Sequence, residues 1–298
     1  MDDIRIDRRR MMAGAAGLAA SAFAGLPTLS AGEESDKKEY KGFLLGACDW
    51  TLGKMADPAA FEVAKTIGLD GVQVSPGSVN TGMKLKDPEG RKKFVEASKK
   101  AGVRISSLAI GALNQVPLKG DDPRPEKWIR ESIEIARKLD QEVILLAFFG
   151  NGDILNDKAG RDVVIKKLRR LAPVAEDAGV VLGIESWLNA DQHADMLDRI
   201  DSPAVQVYYD VGNMHKKGYD IYKEIRTLGG DRICEFHAKD YKDLYGKGSI
   251  DFPAVREAMD DIGYRGWFVI EGVKVPLGRV KSLRYDAEYL RKIFPRKV

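Results

Sequence analysis

The sequence predicts one α/β domain, a single (β/α)8 TIM barrel over residues 42–298, preceded by a cleavable twin-arginine signal peptide at 1–31 and a charged linker at 32–41. Three observations predict the barrel. Short apolar runs recur about 25 to 40 residues apart with amphipathic helical patterns between them, and eight such units fill about 250 residues. The runs are continuous rather than alternating, as strands covered on both faces are. Four late runs, Val181–Glu185, Val205–Asp210, Arg232–His237 and Trp267–Glu271, each stop on a side chain that can hold a metal. A carboxylate or imidazole packs poorly at the end of a buried strand. It makes sense where strand ends converge, as they do at the C-terminal face of a barrel.

The elements follow in order. Phe43 to Cys48 is the first strand. Asp57-Pro58 opens a helix with an N-cap and a proline at its first position, and the helix stops at Gly68. Gly71 to Ser75 is the second strand; Asp87-Pro88 opens the next helix by the same device, closing at Ala101-Gly102. Val103 to Ile110 is the third strand, Glu126 to Leu139 a helix with Trp128, Ile129, Ile133 and Ala136 on one face, and Glu142 to Phe149 the fourth strand. A helix from Asp157 to Ala178 ends at Gly179 and leads to the fifth strand, which ends at Glu185. Helices at Ala190–Ile200, Ile221–Leu228 and Phe252–Ile262 separate the last four strands. An open doubly wound sheet would want a glycine-rich phosphate turn after the first strand, and Gly46-Ala-Cys-Asp-Trp-Thr-Leu-Gly53 does not supply one.

Composition narrows the function. With 44% hydrophobic and 31% charged residues and a net charge of +3 over 298 residues, the chain has no basic footprint for nucleic acid or a membrane surface. Its two cysteines, Cys48 and Cys234, form no Cys-x-x-Cys, which excludes a zinc ribbon and a thioredoxin-type site. They read as small buried hydrophobes; a disulfide is the lesser reading, because the first and seventh strands of a barrel are not neighbours.

Asp7-Arg8-Arg9-Arg10-Met11-Met12 precedes an apolar run from Ala13 to Leu26 that is too short to span a bilayer comfortably. The consecutive arginines point to the twin-arginine export machinery and a periplasmic or extracytoplasmic location. Cleavage is expected after Ala31, with Ala24 as the alternative and an uncleaved membrane anchor as the rival. Export of a folded chain implies metal loading in the cytoplasm, which favours manganese. Otherwise no membrane contact is expected, and a homo-oligomer is left open.

Side chains alternate along a strand, so Glu185 shares a face with residues 181 and 183, Asp210 with 206 and 208, His237 with Ile233 and Glu235, and Glu271 with 267 and 269. All four can point inward at the rim. Three carboxylates and one imidazole suit a hard or borderline divalent ion: Mn2+ first, with Mg2+, Co2+ or Zn2+ as alternatives. Singly, each residue also fits a helix cap, a solvated loop or a structural histidine. The conjunction of four strand ends carries the reading.

Gly183-Ile-Glu185, Tyr209-Asp-Val-Gly-Asn213, Phe236-His-Ala-Lys-Asp240, Gly246-Lys-Gly-Ser-Ile-Asp251 and Ile262-Gly-Tyr-Arg-Gly-Trp267 through Glu271 resemble motifs of the xylose isomerase-like barrel superfamily, in its sugar phosphate isomerase/epimerase and ketose 3-epimerase branch. The resemblance implies one divalent metal on Glu185, Asp210, His237 and Glu271, with Glu185 and Glu271 as the catalytic acid and base. It implies a sugar isomerase or epimerase that removes a proton next to a carbonyl through a metal-stabilised enediolate. Asn213 stands where ketose 3-epimerases tend to have a substrate-binding histidine, and His215 comes two residues later, so the chain departs from that pattern.

Other loop residues are candidate substrate contacts. Lys239 lies two after His237 on the same side, within reach of a sugar oxygen or phosphate; its alternative is a surface pair with Asp240. Trp50, Trp187 and Phe149 are read as an apolar wall for a sugar ring or as core filling, and Asn114, Asn151 and Asp153 as hydroxyl contacts. His193 is expected to face solvent. A keto-sugar lyase or dehydratase would use the same metal and glutamates. A non-catalytic sugar-binding barrel is the rival of another class. Endonuclease IV, the DNA-repair branch of the superfamily, needs more histidines than the three present here.

Overall fold

The strands close because each is apolar on both faces and has nowhere else to bury them. The structure is a computed structural model and describes residues 42–272 and 274–297; the predicted signal peptide and linker lie outside the described residues. Strands β1 (Phe43–Cys48), β2 (Gly71–Val74), β3 (Arg104–Ile110), β4 (Val143–Ala147), β5 (Val181–Glu185), β6 (Val205–Asp210), β7 (Ile233–Ala238) and β8 (Gly266–Ile270) run parallel in sequence order, and β8 pairs with β1. The described helices are α1 (Ala60–Ile67), α2 (Pro88–Ala101), α3 (Arg124–Lys138), α4 (Lys158–Asp177), α5 (Ala190–Ile200), α6 (Val211–Lys216), α7 (Ile221–Leu228), α8 (Phe252–Asp261) and α9 (Arg279–Ile293). The predicted single barrel is present.

Caps place several helices as the sequence predicts. Asp87 accepts from the Gly90 N–H, with Pro88 at the first helical position, and Gly102 closes α2 in the left-handed region. At the start of α5, Asn189 and Gln192 form a reciprocal capping box that was not read in the sequence. The predicted cap at Asp57 works differently: its carboxylate holds the Ala59 N–H in a turn, and α1 begins only at Ala60. Two helices were not expected. α6 has six residues, too few for a periodic pattern. α9 carries so many charges that its buried Leu283, Ala287 and Leu290 hardly show as a stripe.

Two bulges correct the strand alternation. Pairing steps from Val72–Ile105 to Gln73–Ser107, and from Val207–Ile233 to Tyr208–Glu235, so β3 and β7 each carry one extra residue, Ser106 and Cys234. Ile233, expected on the inner face with Glu235 and His237, therefore packs in the outer layer between barrel and helices. Cys234 takes the inner place, against the cluster of Ala109, Val143, Leu145, Ala147 and Tyr208. Past the bulge the alternation resumes and delivers Glu235 and His237 inward. The crowding explains Gly183: a Cβ there would stand 2.8 Å from Cys234 Sγ and 3.1 Å from Tyr208 Cβ.

Candidate active site

Glu185 ends β5, Asp210 ends β6, His237 is the fifth residue of β7, and Glu271 lies one residue beyond β8. One ligand atom from each comes within 4.8 Å of all the others. His237 Nδ1 is 3.1 Å from Glu185 Oε1 and 3.8 Å from Asp210 Oδ2. Asp210 and His237 are fully buried, and Glu185 is 5% exposed.

The donor set fits one divalent cation. Around an ion with bonds of about 2.1 Å, opposite ligands stand about 4 Å apart, close to this spacing. Asp210 Oδ2 is buried and accepts no well-formed hydrogen bond, its near neighbours being Lys239 Nζ at 3.3 Å and His237 Nδ1 at 3.8 Å, a setting in which an ion would complete its coordination. The imidazole is also turned for the task. Gln73 on β2 gives both its amide hydrogens to hydroxyls, Ser107 Oγ at 3.1 Å and Tyr208 at 3.0 Å. That leaves its carbonyl oxygen facing His237 Nε2 at 2.9 Å. This network assigns the ring proton to Nε2 and leaves the Nδ1 lone pair toward the carboxylates.

Charge is unevenly distributed. Burial, and then Glu271, push the Glu185 carboxyl well above the usual range. Burial pushes Asp210 up too, with Lys239 opposing. Glu271 also feels burial, but the Lys239 ammonium, with hydrogen bonds from Lys239 and Trp50, outweighs it and holds the carboxylate below the usual range. Burial lowers His237, keeping the imidazole neutral and ready to ligate. Two glutamates thus face one cavity in unlike surroundings in the ion-free chain.

A cavity of about 390 Å3 opens above the cluster. Trp50, Trp187, Phe149, Asn114, Asn213 and Lys239, all predicted, line it together with Glu185 and Glu271. Phe149 and Trp187 meet edge to face with ring centroids 5.0 Å apart. Asn114 accepts from the Phe149 N–H at 2.8 Å, and Asn213 donates to Glu185 Oε1 at 3.3 Å. Other candidates stand elsewhere. Asn151 donates to the Gln115 carbonyl oxygen on the loop after β3, Asp153 accepts from the Leu155 N–H in its own loop, and neither lines the cavity. His215 is exposed on α6, away from the lining. His193, expected in solvent, is 1% exposed, because α5 turns it inward onto Ser186 Oγ, 3.0 Å from Nε2. Cys48 is more than a buried hydrophobe: its thiol donates to Gln73 Oε1 at 3.3 Å beneath the cluster.

Two participants went unread in the sequence. Gln73 is the lone polar residue inside Gly71-Val-Gln-Val74, a signal that was available. Tyr241 continues the two-residue spacing of His237 and Lys239, and its hydroxyl donates to Asn213 Oδ1 at 2.5 Å.

A sequence model of the family described as xylose isomerase-like TIM barrel matches residues 61–293. The L-ribulose-5-phosphate 3-epimerase UlaE of Salmonella paratyphi A is 27% identical over 229 residues, covering 70% of this chain and 79% of that protein. The D-psicose 3-epimerase of Clostridium cellulolyticum H10 superposes with a TM-score of 0.72 at 17% identity, covering 84% of this chain and 99% of that one. The 3-keto-D-glucoside 4-epimerase YcjR of E. coli superposes with a TM-score of 0.68 at 18% identity, covering 84% and 98%.

Proposed function

The chain belongs to the xylose isomerase-like TIM-barrel family, and from that premise we propose that it is a divalent-metal-dependent sugar isomerase or epimerase. The observation that carries the reading is the convergence of Glu185, Asp210, His237 and Glu271 at the barrel mouth, with both glutamates lining the cavity above them. The curated relative UlaE, an L-ribulose-5-phosphate 3-epimerase, supports chemistry at a carbon next to a ketose carbonyl.

Glu185, Asp210, His237 and Glu271 would hold the cation, with Mn2+ favoured by three oxygen donors and one nitrogen. When bound there, a divalent cation polarises the sugar carbonyl and its neighbouring hydroxyl. One glutamate takes the proton from the adjacent carbon; the other returns one to the opposite face, inverting the centre. Glu185 and Glu271, facing the cavity from β5 and from just past β8, are the two proton carriers, one as base and the other as acid. Trp50, Trp187 and Phe149 would pack on the sugar and exclude water, and Asn114 and Asn213 would contact hydroxyls.

The substrate proposed is a free or glycosidic keto-sugar rather than a sugar phosphate. Among the described residues that line the cavity, Lys239 is the one cation, little to balance a phosphate dianion. Export by the twin-arginine route, the periplasmic location and cleavage near Ala31 are also proposed, supported by residues 7–31 alone.

The test is incubation of the metal-loaded protein in D2O with a panel of free and 3-keto sugars, followed by mass spectrometry of the recovered sugar. Deuterium at the carbon beside the carbonyl is expected, with epimer formation. Binding with no deuterium in any sugar would favour a non-catalytic sugar-binding barrel.

A further inference from the structure

The proton transfer just described leaves one feature unexplained, the shaping of two loops around Lys239. A Cβ on Gly272, whose φ is +62°, would stand 2.7 Å from Lys239 Cε and 3.3 Å from its Nζ. One on Gly212 would stand 2.6 Å from the Lys239 carbonyl oxygen and 2.7 Å from its Cβ. Gly212, in α6 after β6, makes room for the backbone at residue 239, and Gly272, after β8, makes room for the lysine side chain itself. The residue is only 8% exposed yet lines the cavity. Its ammonium is 3.3 Å from Asp210 Oδ2, donates to Glu271 Oε2, and lies 5.1 Å from the Tyr241 ring centroid.

Asp210 and Glu271 are two of the four residues that would hold the cation. An ammonium and a divalent ion repel each other, so a cation bound by Asp210 and Glu271 weakens the hold of those carboxylates on Lys239. Lys239 reaches these carboxylates from the cavity wall, so a sugar in the cavity would lie within reach of its ammonium. We propose that Lys239 is a catalytic residue that changes partners: it neutralises Asp210 and Glu271 in the ion-free chain, and once they hold the cation it hydrogen-bonds the sugar oxygen that becomes anionic. The step balances. The C–H bond breaks, its proton goes to a glutamate carboxylate, its electron pair forms the C=C bond, and the carbonyl pair moves onto the oxygen that accepts from Lys239.

This inference rests on the isomerase or epimerase reading, and its test separates the two. Lys239→Met, with Lys239→Gln as a second neutral variant should the first not fold, is compared with wild type in two measurements. Calorimetric titration of the ion-free protein with Mn2+ alone should show tighter binding, by about tenfold or more, because a competing positive charge is gone. Deuterium exchange into a sugar that the wild type turns over should fall about 100- to 1000-fold in kcat, the usual loss for one oxyanion donor. Mn2+ affinity unchanged or weakened would overturn the partner change, and tighter Mn2+ with unaltered kcat would overturn the catalytic role. Failure of the wild type to exchange any sugar would count against the isomerase reading, while the metal titration still tests the partner change.

Discussion

The Gln73 amide oxygen lies 2.9 Å from His237 Nε2, inside the barrel and on the far side of the ring from the carboxylates. This contact lets a neutral histidine present one fixed nitrogen to an ion. Gln73→Met should leave the fold intact but free the ring, weakening Mn2+ binding by about 10- to 100-fold, as loss of a ligand's hydrogen-bond partner does. Calorimetric titration checks this, and long-range nitrogen–proton NMR of the ion-free chain should show the Nε2–H form of His237 giving way to a mixture. An unchanged metal affinity would mean that Gln73 only fills space.

The two glutamates should separate metal binding from turnover. Glu185→Gln and Glu271→Gln each keep an oxygen ligand, so each variant should retain metal while exchange and epimerisation fall by about 100- to 10,000-fold. Metal content by mass spectrometry and deuterium uptake are read on the same samples. Near-full activity in either variant would show the acid–base assignment to be wrong.

His193 gives a stability test. Burial lowers its pKa from 6.5 to about 4, so the fold disfavours its charged form. A histidine lowered in this way holds its full contribution above pH 6.5 and loses it as pH falls toward 4, by about 1.4 kcal/mol per pH unit. Asp49, raised by burial to about 6, and Glu235, raised by burial to about 8, work in the opposite sense, gaining stability as pH falls. Those terms are shared by His193→Gln, so the difference between wild type and variant isolates the histidine. Urea unfolding of chelator-treated protein from pH 7 to 4.5 should show wild type losing stability relative to the variant. Parallel curves would place His193 in water.

The bulge at Cys234 predicts a coupled pair. Gly183→Ala pushes a Cβ to within 2.8 Å of Cys234 Sγ and should cost about 1–3 kcal/mol. Adding Cys234→Ala removes the sulfur and should recover part of that loss, a coupling that thermal or urea unfolding of the four proteins in the cycle would reveal.

The fold was legible in the sequence because the strands are continuous apolar runs separated by capped helices. The candidate metal cluster was legible because each of its four residues ends, or nearly ends, such a run. Much of the rest depends on contacts far apart along the chain. Gln73 and His237 are 164 residues apart, so a lone glutamine in a strand had no visible partner. The β7 bulge was hidden because Ile233 and Cys234 are both apolar, and a one-residue slip between them leaves the pattern unchanged. His193 read as exposed because one polar residue on an amphipathic helix does not reveal which side of the stripe boundary it occupies.

The central claim is that Glu185, Asp210, His237 and Glu271 share one cation. Anomalous diffraction from a manganese-soaked crystal tests it most directly. One strong peak within coordinating distance of all four side chains, with His237 facing it through Nδ1, is the predicted result. A peak elsewhere, or none at the cluster while the protein remains folded, would contradict it.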